Sequence, residues 1–334
     1  MLVDASCAPA DIRFPTDISL LNEAREKTEA IIDILHEPLK GKEPKARTYR
    51  HTARKEYLKV AKKRKVSPKQ LRKALRKQLS YLRRNLRYIE NLSGKTSLKV
   101  LSKKQYRDLL VISELYRQQR LMYEKETHRS EGRIVSISQP HVRPIVRGKA
   151  GTPVEFGAKF SVSVVDGYVF LERVRWDNYH EANDLVDTIE KYKGRFGHYP
   201  SSVHVDKTYR NRENLKFCRS HGIRISGPPL GRPPKEMKDQ KLLQRQSRED
   251  EIARIPVEGK LGNGKRRYNL DCIMEKRDDT SETTIGMIVL VLNLEKIMRD
   301  LLFVIFVWYN SIAANTSNKR LFNENDRKSS DMAA

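Results

Sequence analysis

The 334 residues carry 67 Lys+Arg against 42 Asp+Glu, a formal net charge of +25. That excess favours polyanionic partners, because basic side chains neutralise phosphates and release counterions. Three widely spaced cysteines (Cys7, Cys218, Cys272) exclude a disulfide framework and a zinc site, and fit a reducing cytoplasm.

Residues 1–5 (MLVDA) read as the stub of an apolar strand ending near Asp4. A helix is expected from Asp17, taken as its N-cap, to about His36, with Ile18, Leu21, Thr28, Ile31, Ile32 and Leu35 on one face. The charge then concentrates: residues 41–130 hold 28 Lys+Arg and 7 Asp+Glu, a net +21, which leaves only +4 for the rest. Inside this segment Ser67 and Pro68 open a helix whose apolar stripe (Leu71, Leu75, Leu79, Leu82, Leu86, Ile89) runs to a stop at Gly94. Ser102 and Gln105 form a capping-box pattern for another helix, to about Tyr123. Residues 17–130 are therefore expected to be a helical, strongly basic insertion.

From Arg133 the period changes to two. Residues 154–165, the turn Asp166-Gly167, and residues 168–176 predict a hairpin. A helix follows over 179–196, a strand over 202–205, a helix over 210–221 and a strand over 223–226. After a Pro/Gly loop (227–234) comes a polar helical stretch through Ala253, and then an apolar helical region over 283–310. The apolar runs 285–294 and 301–308 are separated by Glu295, Lys296, Arg299 and Asp300. Each falls short of the roughly 20 residues of a spanning helix, so both are read as buried core and no membrane partner is expected. Residues 313–334 read as a polar, disordered tail. The order of elements predicts an α/β fold, with an antiparallel hairpin added to parallel strands, formed by residues 1–16 and 131–312.

Two aspartates stand at the ends of apolar strands: Asp4 after Leu2-Val3, and Asp206 after Val203-His204-Val205. Strand carboxyl ends are where open α/β sheets gather ligand chemistry, although any single aspartate there can equally cap a turn. A third carboxylate, Glu258, lies in the basic, glycine-rich and partly helical run RIPVEGKLGNGKRRY at 254–268. Three such side chains converging would suit hard divalent cations, which prefer oxygen ligands.

These blocks resemble those of DDE transposases from the insertion-sequence four- and five-like groups. DASCAPADIRFPTD at 4–17 is similar to the first catalytic block, and VDKTYRNREN at 205–214 to the second. Arg254, Glu258 and Lys265 match the Arg-x3-Glu-x6-Lys spacing of the third, and WDNYHE at 176–181 resembles a further recurrent block. Glu251 stands where the extended signature has a tyrosine, and Pro256 is expected to start or kink a helix just before Glu258.

The resemblance implies a ribonuclease-H-like mixed sheet flanked by helices, with Asp4, Asp206 and Glu258 as catalytic metal ligands for two Mg²⁺ ions, Mn²⁺ being a substitute. It implies DNA strand cleavage and strand transfer, with element ends and target DNA as partners and a homodimer as the active form. Because a helical DNA-binding domain normally precedes the first aspartate, it also implies N-terminal truncation and a weakly held first strand. Arg254, Lys265 and Arg266 are assigned to DNA contact, as are Arg64, Lys65, Arg72, Arg76, Arg83 and Arg84 of the insertion. The interleaved Tyr81, Tyr88, Tyr106 and Tyr116 fit core or stacking roles equally. Two other readings stay open: a non-catalytic DNA-binding or dimerisation remnant, and a ribonuclease-H-like nuclease.

Overall fold

The computed structural model describes residues 1–146, 154–227 and 237–331, with the backbone alone for 237–240 and 311–331. It is a mixed α/β fold, mostly helical, with an antiparallel sheet. The strands are β1 (Leu2–Pro9), β2 (Arg143–Val146), β3 (Val154–Val165), β4 (Tyr168–Arg175), β5 (Ser202–Val203) and β6 (Arg224–Ile225). The long strand β3 pairs antiparallel with β1, β2 and β4. The β3–β4 turn places Asp166 and Gly167 at φ 50° and 83°, the left-handed pair that a two-residue hairpin needs.

Parallel strands β5 and β6 form a second, two-stranded sheet. A parallel bridge between Leu2 and His204 joins it to β1. Two bonds carry that junction: the Val3 amide donates to the His204 carbonyl, and the His204 amide to the Met1 carbonyl, each at 2.9 Å. Side by side, the strands run β4, β3, β1, β5, β6.

The first strand is longer and better held than its sequence suggests. It continues through Cys7 and Ala8 to Pro9, and every residue from Leu2 to Pro9 has a partner on β3. Small residues line this contact. A side chain at Gly157, opposite Pro9, would collide with the Ala8 carbonyl oxygen. The expectation of a weakly anchored β1 therefore fails, because pairing with β3 on one side and His204 on the other fixes it.

Helices cover both faces. On one, Ala8, Phe160, Val162 and Val164 pack with Val257 and Leu261 of α7 (Met237–Arg267) and with Ile285, Ile288 and Val289 of α8 (Asp278–Asp331). On the other, Val3, Val203 and Val205 pack with Leu185 and Ile189 of α5 (Leu185–Phe196) and Cys218 of α6 (Arg212–Ser220).

Between β1 and β2 lie α1 (Asp17–His36), α2 (Arg50–Ala61), α3 (Pro68–Ser93) and α4 (Lys103–Glu124). Ser67 caps α3, with Pro68 in the first turn and Gly94 at the end, and Ser102 with Gln105 closes the capping box of α4. Thr16, not Asp17, is the N-cap of α1: its hydroxyl accepts from the Ser19 amide while the Ser19 hydroxyl accepts from the Thr16 amide. Asp17 instead accepts hydrogen bonds from Gln119 and Arg133, both at 2.8 Å. The helices share their own core, in which Leu20, Leu21, Leu82, Ile112 and Leu115 meet Ile134 and Ile137, so the unit's packing extends past residue 130.

Two helical expectations change. Helix α7 runs unbroken through Pro256, so Glu258 sits in mid-helix and not at a start. Of the two C-terminal apolar runs only the first is core: Ile285, Ile288, Val289 and Leu292 are buried, whereas every side chain from Leu301 to Tyr309 is 47–68% exposed. Lys296 lies against Gly167 and Tyr168, at the turn that ends the β3–β4 hairpin. Among the described residues no helix is long and apolar enough to cross a membrane. The expected Pro/Gly loop falls mostly outside what is described, but the expected disorder of the tail is not met: the backbone of 313–331 continues α8 as helix, and only 332–334 lie outside.

Candidate active site

Asp4 lies on the face of β1 that carries Leu2 and Ala8, beneath α7. The parallel bridge pairs Leu2 with His204, and two residues further along each strand stand Asp4 and Asp206. The carboxylates are thus level on neighbouring strands. Asp206 begins a short 3₁₀ turn (Lys207–Tyr209), its Oδ1 accepting from the Lys207 amide at 2.5 Å. Asp4 accepts likewise from Ala5, at 2.9 Å.

Helix α7 brings the third carboxylate. At about 100° per residue, Arg254, Glu258 and Lys265 fall within about 40° of one another, so the spacing read from sequence places all three on one helix face. The Arg254 guanidinium stands between two of the carboxylates, 3.9 Å from Asp206 and 3.7 Å from Glu258. Burial pushes the Asp4 carboxyl above its ordinary range. Repulsion from Glu181 and Glu258 adds to this, against the Ala5 amide and Arg254. Asp4, Asp206, Glu258 and Arg254 therefore form one neighbourhood.

Sequence reasoning missed three contributors. Glu181, on the 3₁₀ turn ahead of α5, is a fourth carboxylate in the field of Asp4, and is paired at 2.7 Å with the buried Lys159. Buried Tyr209 lies within the electrostatic reach of Glu181 and Asp4, and burial first, then their charges, raise its phenol well above the ordinary value. Asp250, one turn before Arg254, is 4% exposed and ties α7 to the β5–β6 edge. It accepts from Arg224 at 2.5 and 3.2 Å and from the Gly227 amide at 3.0 Å, with His204 3.5 Å away. Burial acts to raise the Asp250 carboxyl, but the bonds from Arg224 and Gly227 outweigh it and hold it below its usual range. Its only sequence signal is position: it precedes Arg254 by four residues and so shares the active face.

The donors suit a hard divalent cation by chemistry, since they are carboxylate oxygens with one neutralising guanidinium. Among the described residues no three His, Cys, Asp or Glu side chains close on a single point. Binding a cation would draw the carboxylates together and away from Arg254.

The basic residues divide. Arg64, Lys65, Arg76 and Arg83 are exposed, and Arg76 and Arg83 share one face of α3. Arg72 pairs with Glu126 at 2.9 Å and lies 4.4 Å over the Tyr123 ring. Arg84 is half-buried between the rings of Tyr49 and Tyr81, at 4.8 and 5.7 Å. Both are committed inside the chain. Arg266 is exposed, 3.4 Å from Asn263, and Lys265 is half-buried. Of the tyrosines, Tyr81 donates to Glu56 at 3.0 Å, and Tyr106 is exposed.

Neither the curated proteins nor the solved structures contain a match to this chain. Residues 203–295 match the family model described as Transposase DDE domain, a stretch that includes Asp206, Arg254, Glu258 and Lys265, and the match supports a DDE transposase.

Proposed function

We propose that the chain is the catalytic core of an insertion-sequence transposase of the four- and five-like groups, cutting and rejoining DNA with Asp4, Asp206 and Glu258 as metal ligands. The observation that carries this is the Leu2–His204 bridge, which sets Asp4 level with Asp206 under the helix that bears Glu258. A strand order with three antiparallel strands and then two parallel ones, flanked by helices, supports reading the fold as ribonuclease-H-like.

When bound, Mg²⁺ or Mn²⁺ would supply an activated oxygen nucleophile and stabilise the leaving oxygen. The chain's own groups do the rest. Asp4, Asp206 and Glu258 hold the charge. Arg254, released from Asp206 and Glu258, faces the scissile phosphate, and Lys265 on the same helix face extends that contact. Asp250 holds α7 in register. Arg64, Lys65, Arg76 and Arg83 contact the flanking backbone of element ends or target, and two copies act together on paired ends.

The test is Mn²⁺ binding by calorimetry, together with nicking of DNA spanning the flanks of the chain's own gene. Wild type should bind and nick. Asp206→Asn and Glu258→Gln should lose both while still binding DNA. Metal-independent nicking, or unaltered Mn²⁺ affinity in both variants, would sink the proposal. DNA binding without metal binding by the wild type would favour the non-catalytic reading.

A further inference from the structure

Helix α8 presents two opposite faces. One is spent on the chain's own core, through Ile285, Ile288, Val289 and Leu292. The other carries Leu294, Met298, Leu301, Ile305 and Trp308, spaced four, three, four and three residues apart, and each is 48–65% exposed. That spacing is the a/d seam of a coiled coil. The charged residues at this level, Glu295, Lys296, Arg299 and Asp300, all fall away from the seam at about 100° per residue. Lys296 pairs with Asp300 at 2.5 Å, and Glu295 with Arg267 at 2.6 Å, so the far side is already satisfied.

The area is large. Phe303, Phe306, Trp308 and Tyr309 are 64–68% exposed. At roughly 200 Å² per aromatic side chain, they alone leave on the order of 500 Å² in water. The aliphatic residues between Leu301 and Val307 add a comparable amount. Phe303 and Phe306 lie off the seam at about 100° per residue, but the five seam side chains with the flanking Ile297, Leu302, Val304 and Tyr309, all 41–66% exposed, pass the few hundred Å² that a soluble monomer tolerates and approach the ~800 Å² per side of a stable complex.

We infer that this seam is a self-association surface, and that its occupant is α8 of a second copy of the chain. A heptad seam is complementary to itself across a twofold axis, which a foreign surface has no reason to be. A lipid surface is the weaker fit, because the fully apolar stretch of nine residues is only about 14 Å long, half a bilayer core. The seam and the packed residues belong to one continuous helix, so the seam side chains are already in helical register. The inference deepens the proposed function by locating where two copies meet, and its readout is mass and not cleavage.

Sedimentation of the full chain at micromolar concentration tests it. Wild type should run as a dimer, and Leu301→Glu/Ile305→Glu as a monomer with unchanged circular dichroism and Mn²⁺ affinity. Phe303→Glu, on the side away from the seam, should remain dimeric. A monomeric wild type, or a double variant that still pairs, overturns the inference. So does flotation of a monomer with phosphatidylcholine vesicles. Any of these leaves the catalytic reading standing if Mn²⁺ still binds, whereas a dimer that binds no Mn²⁺ overturns only the catalytic reading.

Discussion

Replacing Asp250 by alanine should both loosen the fold and misplace the site. The substitution removes the acceptor for two Arg224 bonds and for the Gly227 amide. Hydrogen bonds to a charged group contribute about 1.5–3 kcal/mol, and breaking a buried ion pair costs about 3–5 kcal/mol. The Arg224 side chain is 45% exposed, so water recovers part of the loss. Discounting for that, about 2–3 kcal/mol is expected. In a chain of this size the fall in Tm should be on the order of 3–4 °C.

The sign of the pH dependence follows from the depressed carboxyl. Its stabilisation is fully present above the unfolded value of about 3.9 and is lost as pH falls through the lower folded value. Urea unfolding followed by circular dichroism at pH 7 and below pH 4 should therefore show the gap between wild type and variant closing in acid. Because Arg254 follows one turn later, Mn²⁺ affinity should drop even where the variant is fully folded. A difference below about 0.5 kcal/mol at pH 7 would refute the reasoning, as would a gap that persists unchanged in acid.

Asp4→Asn should abolish nicking and Mn²⁺ binding, yet raise stability at neutral pH. A carboxyl raised by burial destabilises the fold progressively as pH climbs from its unfolded to its folded value, so thermal melts at pH 7 should favour the variant and melts in acid should not. Arg76→Ala/Arg83→Ala should weaken DNA binding regardless of sequence and reduce the slope of log affinity against log salt by about 2; an unchanged slope would remove these residues from the interface. Pro256→Ala restores an amide donor in mid-α7 and should stabilise the chain by up to about 3 kcal/mol with nicking retained. A destabilised variant would mean that the proline's own shape is needed there.

Much of this was legible because the signals were local. The Asp166-Gly167 turn, the Ser67–Pro68 start and Gly94 stop, and the Ser102–Gln105 box each act within a few residues, and each is where sequence put it. The spacing of Arg254, Glu258 and Lys265 is also local, set by the helical repeat. The features that escaped depend on distant partners. Ala5 through Pro9 have little strand propensity and pair only because small β3 residues let the backbones approach. Asp250 and Glu181 look like any helical acid until Arg224 and Lys159 arrive from other elements. The run 301–308 has core composition, but only the end of the sheet decides that it projects. At Thr16-Asp17 two good caps compete, and the Ser19 hydroxyl settles it for the threonine.

Pro9 and Arg143 both pair with Gly157, from opposite sides of β3, so the helical insertion leaves and re-enters the sheet at one glycine. That arrangement bears on how the chain folds. Leu2 must find Val164 across the whole insertion, a non-local pairing of the kind that slows folding. The insertion's own contacts are comparatively local, and its helices can form and dock first. Once they do, Pro9 and Arg143 are held a few strand widths apart, and the search that β1 faces is that of a short loop. The basic helices thus act as a folded clasp for the strand bearing Asp4. Leu82→Ala, deep in that clasp, should slow β1–β3 formation measured by stopped-flow refolding, although Leu82 touches neither strand.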